Sequence, residues 1–255
     1  MMIWYSVQCM SCLQNTERKR HSKERIITFM YDDIACNLEN PEPGVIITVQ
    51  MYMKAYQLIT LVKQVWMFVF NIRKNVFLDV LRGYKMKIKG IGIERVVFRL
   101  VDNFLIFHTG FGDRGGMIEF PDSGEDRNLH GDQLVTTFKQ MRNRNNYKNI
   151  LMYLESSHSS GMFENAMLPH NINVMAMGEP DEQTYGTYCN INMEMEPCVG
   201  GLFSYAWMNY AENNPDGLSQ SVFDHLDHVR DAVSNTAKEH PQLYGDWNIG
   251  RLPIS

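Results

Sequence analysis

Ile150 to Leu154 is an unbroken apolar run that stops without transition at Glu155-Ser156-Ser157-His158-Ser159-Ser160-Gly161. An apolar run of strand length ending in a polar, glycine-closed loop reads as a buried strand whose carboxyl end opens into a loop. In α/β folds, such strand ends are where ligands are handled. A nucleophile at this junction would have backbone N–H groups nearby to hold an oxyanion. The candidate is Ser157.

The rest of the chain supplies companions for that strand. Ile26 to Tyr31 reads as a strand stopped by Asp32-Asp33, and Val45 to Val49 as another after the turn Pro41-Glu42-Pro43-Gly44. Phe77 to Leu81 reads as part of a helix ended by Gly83. Phe104 to His108 is a strand running into the glycine-rich loop Thr109 to Gly116, followed by a short strand, Met117 to Phe120. Asp132 to Arg144 is helical, with Leu134, Val135, Phe138 and Met141 on one face. Ile172 to Met177 is the next strand. Leu202 to Tyr210 and Ser219 to Val233 are helices, the second striped by Val222, Phe223, Leu226, Val229 and Val233. Strands alternating with helices predict an α/β fold, a mainly parallel sheet covered on both faces. With no internal repeat or long linker, residues 1–255 read as one domain. The loops after Phe104–His108 and Ile150–Leu154 then meet at one sheet edge, with room for a nucleophile on one and a base on the other.

Composition excludes several classes. The net charge is −5, and the basic runs Arg18-Lys19-Arg20 and Arg142-Asn143-Arg144 are short, which argues against nucleic acid. Cys9-Met10-Ser11-Cys12 has CxxC spacing, but no second pair completes a metal site, so neither metal nor cofactor is expected. Cys189 and Cys198 bracket a short polar loop and form a local disulfide if the compartment is oxidising. The 18 Met residues read as core filler. No signal peptide is visible at the start of the chain. Val49 to Phe70 is strongly apolar, but Lys54 and Lys63 fall inside it, so a buried segment is expected there rather than a membrane span.

Several stretches resemble the legumain family, the asparaginyl endopeptidases known in plants as vacuolar processing enzymes. They are Tyr31-Asp32-Asp33-Ile34-Ala35, Asn40-Pro41, Gly44 to Ile47, Phe104 to Gly112, Tyr153-Leu154-Glu155 and Met162-Phe163-Glu164. Tyr185-Gly186-Thr187-Tyr188-Cys189, Cys198 and Leu202 to Met208 resemble it most closely. The resemblance implies a caspase-like fold, cysteine-protease chemistry that cuts peptides or proteins after Asn or Asp, and a vacuolar or lysosomal setting.

Carrying the family's active site over by position changes the expectation. Phe111 stands where the base His belongs, and Ser157 where the nucleophilic Cys belongs. If Tyr5-Ser6-Val7-Gln8 matches the family's Tyr-Arg-His-Gln run, Trp4 replaces the orienting Asn and Ser6 the pocket Arg. That Arg offers a fixed donor fork to a carboxamide or carboxylate, which Ser cannot reproduce. Of the other pocket positions, Glu155 is kept, Thr184 replaces a Ser, and Gly201 replaces an Asp.

A serine hydroxyl without an adjacent base is a weak nucleophile, and Phe cannot accept a proton. The resemblance therefore implies a family member without activity. The alternatives are a non-catalytic module that binds a peptide or an active relative, and a serine-type hydrolase using Ser157. For the latter, His158 is sequence-adjacent, His108 lies inside a strand, and His225 and His228 are expected on a solvated helix face. Three structural departures accompany the replacements. Only Met1 to Trp4 remains of the family's first core strand. Residues 48–73 are apolar and unrelated, and are expected to supply strand pairing. The family's C-terminal prodomain has no counterpart before Ser255.

Overall fold

The computed structural model describes residues 26–29, 38, 66–69, 73–84, 98–120, 127–187, 198, 200–213 and 220–253. Trp4, Ser6, the Cys9–Cys12 pair and the expected strand Val45–Val49 lie outside them. Two strands, β1 (Ile26–Phe29) and β2 (Trp66–Val69), pair in parallel, Ile26 with Trp66 and Phe29 with Val69. β2 belongs to the apolar segment 48–73, so that segment does contribute a strand. The strand it joins is β1, in a two-stranded sheet separate from the main one.

Helix α1 (Lys74–Leu81) buries Phe77, Leu78, Val80 and Leu81. Gly83, at φ +68°, follows it, a backbone conformation that favours glycine past a helix end. Then come β3 (Asn103–Thr109), the hairpin β4 (Gly112–Asp113) and β5 (Met117–Glu119), and β6 (Asn128–His130), which pairs with β5. Helix α2 (Gly131–Asn143) places Leu134, Val135, Phe138 and Met141 on its buried side, as the periodicity predicts. β7 (Asn149–Glu155) follows, then a 3-10 turn (Ser159–Met162) and β8 (Ile172–Ala176). Two short strands, β9 (Gly186–Thr187) and β10 (Gly200–Gly201), lead into α3 (Leu202–Asn213). Helix α4 (Val222–Ala237) opens on a capping box: the Ser221 hydroxyl accepts from the Asp224 N–H, and the Asp224 carboxylate accepts from the Ser221 N–H. The chain closes with β11 (Gln242–Gly245) and the single turn α5 (Trp247–Gly250).

The main sheet runs β11-β8-β7-β3. β3, β7 and β8 are mutually parallel, as expected; β11 adds antiparallel to β8 and was not foreseen. Successive strand residues point to opposite faces. Ile150, Met152 and Leu154 of β7, with Ile172, Val174 and Ala176 of β8, therefore pack on one side with residues of α1 and α2. Tyr153 and Met175 face the other way, against Phe203 and Trp207 of α3 and Leu226, Val229 and Val233 of α4. Each of the fully buried Ile, Leu, Val, Met and Phe side chains among these contributes about 1.5–3 kcal/mol of transfer free energy. Met141, Met152 and Met175 are fully buried, which fits methionine as core filler. No helix among the described residues is long and apolar enough to cross a membrane.

Candidate active site

Because β3 and β7 are adjacent and parallel, with Thr109 opposite Glu155, their loops leave the sheet side by side. The Gly110 N–H donates to the Glu155 carbonyl at 3.1 Å. Phe111 and Ser157 each lie two residues beyond these paired strand ends, so the topology brings both predicted positions together. Gly112 presses against the β7 loop: a Cβ there would stand 2.3 Å from the Ser157 carbonyl and 2.4 Å from the Ser156 Oγ. The Phe111 carbonyl accepts from the Glu119 N–H at 2.8 Å, which fixes the β4–β5 hairpin under it.

The serines of the β7 loop are tied to the chain beyond β8. The Ser157 hydroxyl accepts from the Thr184 N–H at 3.1 Å and lies 3.2 Å from the Thr184 hydroxyl. The Ser159 hydroxyl donates to the Met177 carbonyl at 2.9 Å, and Ser160 donates to Gly178. His158 sits at φ +59°, uncommon for a non-glycine residue, and donates its N–H to the Glu182 carbonyl at 2.8 Å. Its Nδ1 lies 2.8 Å from the Pro180 carbonyl; that oxygen can only accept, so Nδ1 carries the proton.

None of the other histidines weighed as a base has its ring on Ser157. His108 is paired with Leu154, its ring is 5.7 Å from that of Phe120, and burial lowers its pKa to about 4. His225 corrects an expectation: it is fully buried, not solvated. It shares the inward stripe of α4 with Val222 and Leu226, and its Nδ1 lies 3.2 Å from the Tyr153 hydroxyl. The Tyr210 ring stacks on it at 5.1 Å, and burial holds its pKa down at about 3. His228 is exposed, as expected. Among the described residues no group of three His, Cys, Asp or Glu side chains could hold a metal ion.

The pocket positions are partly assembled. Glu155 is fully buried; its carboxyl accepts from the Ser204 N–H at 3.2 Å and from the Ser204 hydroxyl. Burial pushes the Glu155 carboxyl above its usual range, while these Ser204 bonds act in the opposite direction. A Cβ on Gly201 would stand 2.0 Å from Glu155 Oε1, so the Glu155 carboxyl occupies the space that an Asp side chain at position 201 would need. Thr184 contacts Ser157 as described. Cys198 is disulfide-bonded; its expected partner Cys189 lies outside the described residues.

Three residues given no role in the sequence reading complete the arrangement. Ser204 anchors Glu155, although it lies within the family-like run Leu202 to Met208. Glu239 is buried, and its Oε1 accepts from the Tyr185 N–H at 2.5 Å. Glu182 pairs with His240, whose ring and backbone N–H both reach its carboxylate. Farther along the β7 loop, Gly161 and Met162 border a cavity of about 440 Å³ shared with Gly116, His130 and Asp132.

Residues 5–255 match the Peptidase C13 family. A hemoglobinase of Schistosoma japonicum is 32% identical over 234 residues, covering 91% of this chain and 51% of that protein. A vacuolar-processing enzyme of Citrus sinensis is 31% identical over 237 residues, with 89% and 46% covered. A legumain of Canavalia ensiformis is 30% identical over 239 residues, with 89% and 48% covered. The chain thus spans about half the length of these curated relatives. Among solved structures, caspase-1 of Spodoptera frugiperda superposes with a TM-score of 0.49 at 11% identity, over 75% of this chain and 76% of that one.

Proposed function

This chain belongs to the Peptidase C13 family, and from that premise we propose that it is a catalytically silent member. It would keep the frame of a cysteine endopeptidase and lack turnover after Asn or Asp. The observation that carries this reading is the state of Ser157. Its hydroxyl is committed to Thr184, and Phe111 stands on the neighbouring loop where a base would be needed. Loss of a nucleophile or its base costs about 10⁴-fold or more in such units, and the losses do not add independently.

A fluorogenic peptide containing Asn, assayed at acidic pH, tests the proposal. The expected result is no turnover above that of Ser157→Ala. Turnover that Ser157→Ala abolishes would overturn it in favour of a serine-type hydrolase. The role that remains is binding, and the cavity beside the β7 loop supports it. A peptide or an active relative is the proposed ligand, and a vacuole or lysosome the proposed location, in line with relatives named vacuolar-processing enzyme. Retention of an active family protease on the immobilised chain tests the binding role; no retention at micromolar concentration would count against that partner.

A further inference from the structure

The segment Glu179–Tyr185 leaves β8 through Gly178 at φ +70° and lies along the β7 loop. It is held there on both sides. Toward the β7 loop, the Glu182 carbonyl takes the His158 N–H, the Pro180 carbonyl takes His158 Nδ1, and Thr184 bonds Ser157 through its N–H and its hydroxyl. Toward the chain after α4, Glu182 pairs with His240, and the Tyr185 N–H donates to Glu239. The second set of ties depends on proton occupancy.

The Glu239 carboxyl is the sensitive member. It is fully buried, and its Oε2 has no hydrogen-bond partner among the described residues. The titratable groups that face it are Glu155 at the end of β7 and Glu182 on the segment itself, both acidic; the neighbouring His240 ring is bonded to Glu182. Burial, opposed by the Tyr185 N–H and reinforced by Glu155 and Glu182, pushes its pKa up to about 8. A carboxylate at that position would be a buried charge facing two further acidic side chains, an expensive state. The Glu239 carbonyl is held by the Ser234 hydroxyl of α4 at 2.7 Å, whereas its carboxyl is covered by Tyr185 of the segment, which is half exposed, so lifting the segment is the cheap way to hydrate the charge.

We propose that Glu179–Tyr185 is a proton-operated strap, closed over the Ser157 loop while Glu239 is uncharged and Glu182 is paired with His240, and released when Glu239 loses its proton. Release frees the Ser157 hydroxyl from Thr184 and uncovers the wall of the old substrate pocket. The strap does not depend on whether the chain is catalytically silent.

Amide hydrogen exchange of the full chain at pH 6 and pH 9, corrected for the intrinsic rate, tests it. In the native sequence, protection of the Thr184 and Tyr185 amides should fall about tenfold or more between the two pH values, while α2 stays unchanged. Glu239→Gln, which cannot ionise, should abolish that fall. Glu182→Gln, at the more exposed end, should already loosen the strap at pH 6. Equal strap protection at both pH values would overturn the proposal. So would a fall that persists in Glu239→Gln, parallel loosening of α2, or a Glu182→Gln chain indistinguishable from the native one at pH 6. Peptidase turnover in the assay above would overturn catalytic silence and leave these exchange results standing.

Discussion

The two loops at the carboxyl edge of the sheet are built by different means. The β7 loop is held by side chains: Ser157, His158, Ser159 and Ser160 each bond a residue beyond β8. The β3 loop is held by what it lacks, since Gly112 approaches the β7 loop so closely that no Cβ fits between. The first loop therefore tolerates loss of one tie among several, while the second, beside its backbone hydrogen bonds, has no slack at Gly112. The positions that the family resemblance makes catalytic fall on both, at Phe111 and at Ser157. On the β7 loop, Ser157 serves as the partner of Thr184.

That contrast can be broken experimentally. The largest effect is expected at Gly112→Ala, where a new Cβ meets the Ser157 carbonyl, which cannot swing aside, as well as the Ser156 hydroxyl. Destabilisation of about 3 kcal/mol is expected, the upper end for overpacking, read as a lowered urea midpoint; a change under about 0.5 kcal/mol would mean the loops are not in rigid contact. Next comes chemistry. If the frame is intact and only its reactive groups are missing, Phe111→His with Ser157→Cys should raise Asn-peptide turnover about 100-fold over Ser157→Cys alone, the scale of a single general base. No gain would show that the β3 loop no longer aims at the β7 loop.

The pH dependence of stability follows in size. Folded Glu239 titrates at about 8 against an ordinary 4.5, so the unfolded chain gives up that proton first, and stability falls as pH rises from 4.5 through about 8. Buried Glu155 acts in the same direction. His108 and His225 do the reverse. Their folded values, about 4 and about 3, lie below the ordinary 6.5, so the unfolded chain binds more protons and stability falls as pH drops below 6.5. Urea titrations across pH should show the highest stability between about 4.5 and 6.5, where the two carboxyls and the two histidines act oppositely, and Glu239→Gln should make the fall above 6.5 shallower. A maximum at pH 9 would contradict the burial of both carboxyls. The smallest effect belongs to Ser157→Ala, about 1 kcal/mol for a neutral hydrogen bond that leaves Thr184 unsatisfied. A neutral or stabilising result would remove the asymmetry between the loops.

The strands and helices most legible in the sequence are those with a sustained apolar pattern. α2 could be read because its apolar residues recur at the helical period, and β7 and β8 because an unbroken apolar run marks a strand buried on both faces. β6, β9 and β10 could not, since two or three residues carry no period and such strands exist only by pairing. β11, half-buried at the sheet edge, lacks the apolar run that marked the others. The site divides along the same line. Phe111, Ser157, Glu155, Thr184 and Gly201 were found by position along family-like segments, and the structure brings these positions around the two loops. His225 lay on the legible stripe of α4, but its polarity suggested solvent, because the Tyr153 hydroxyl that satisfies it arrives from a different element. Ser204 and Glu239 were silent for the same reason: each matters only through a residue far away in the chain.

The placement of Glu239 and His240 just ahead of β11 has a consequence for how the molecule is made. A ribosome delivers β3, β7 and β8 well before the residues that follow α4, so the parallel core can assemble on the emerging chain while the strap still has only half its fastenings. The closed pocket is then the last part of the domain to be finished, set when the closing strand zips onto β8. A chain stalled just short of Glu239 would carry a complete parallel core beneath an open cleft.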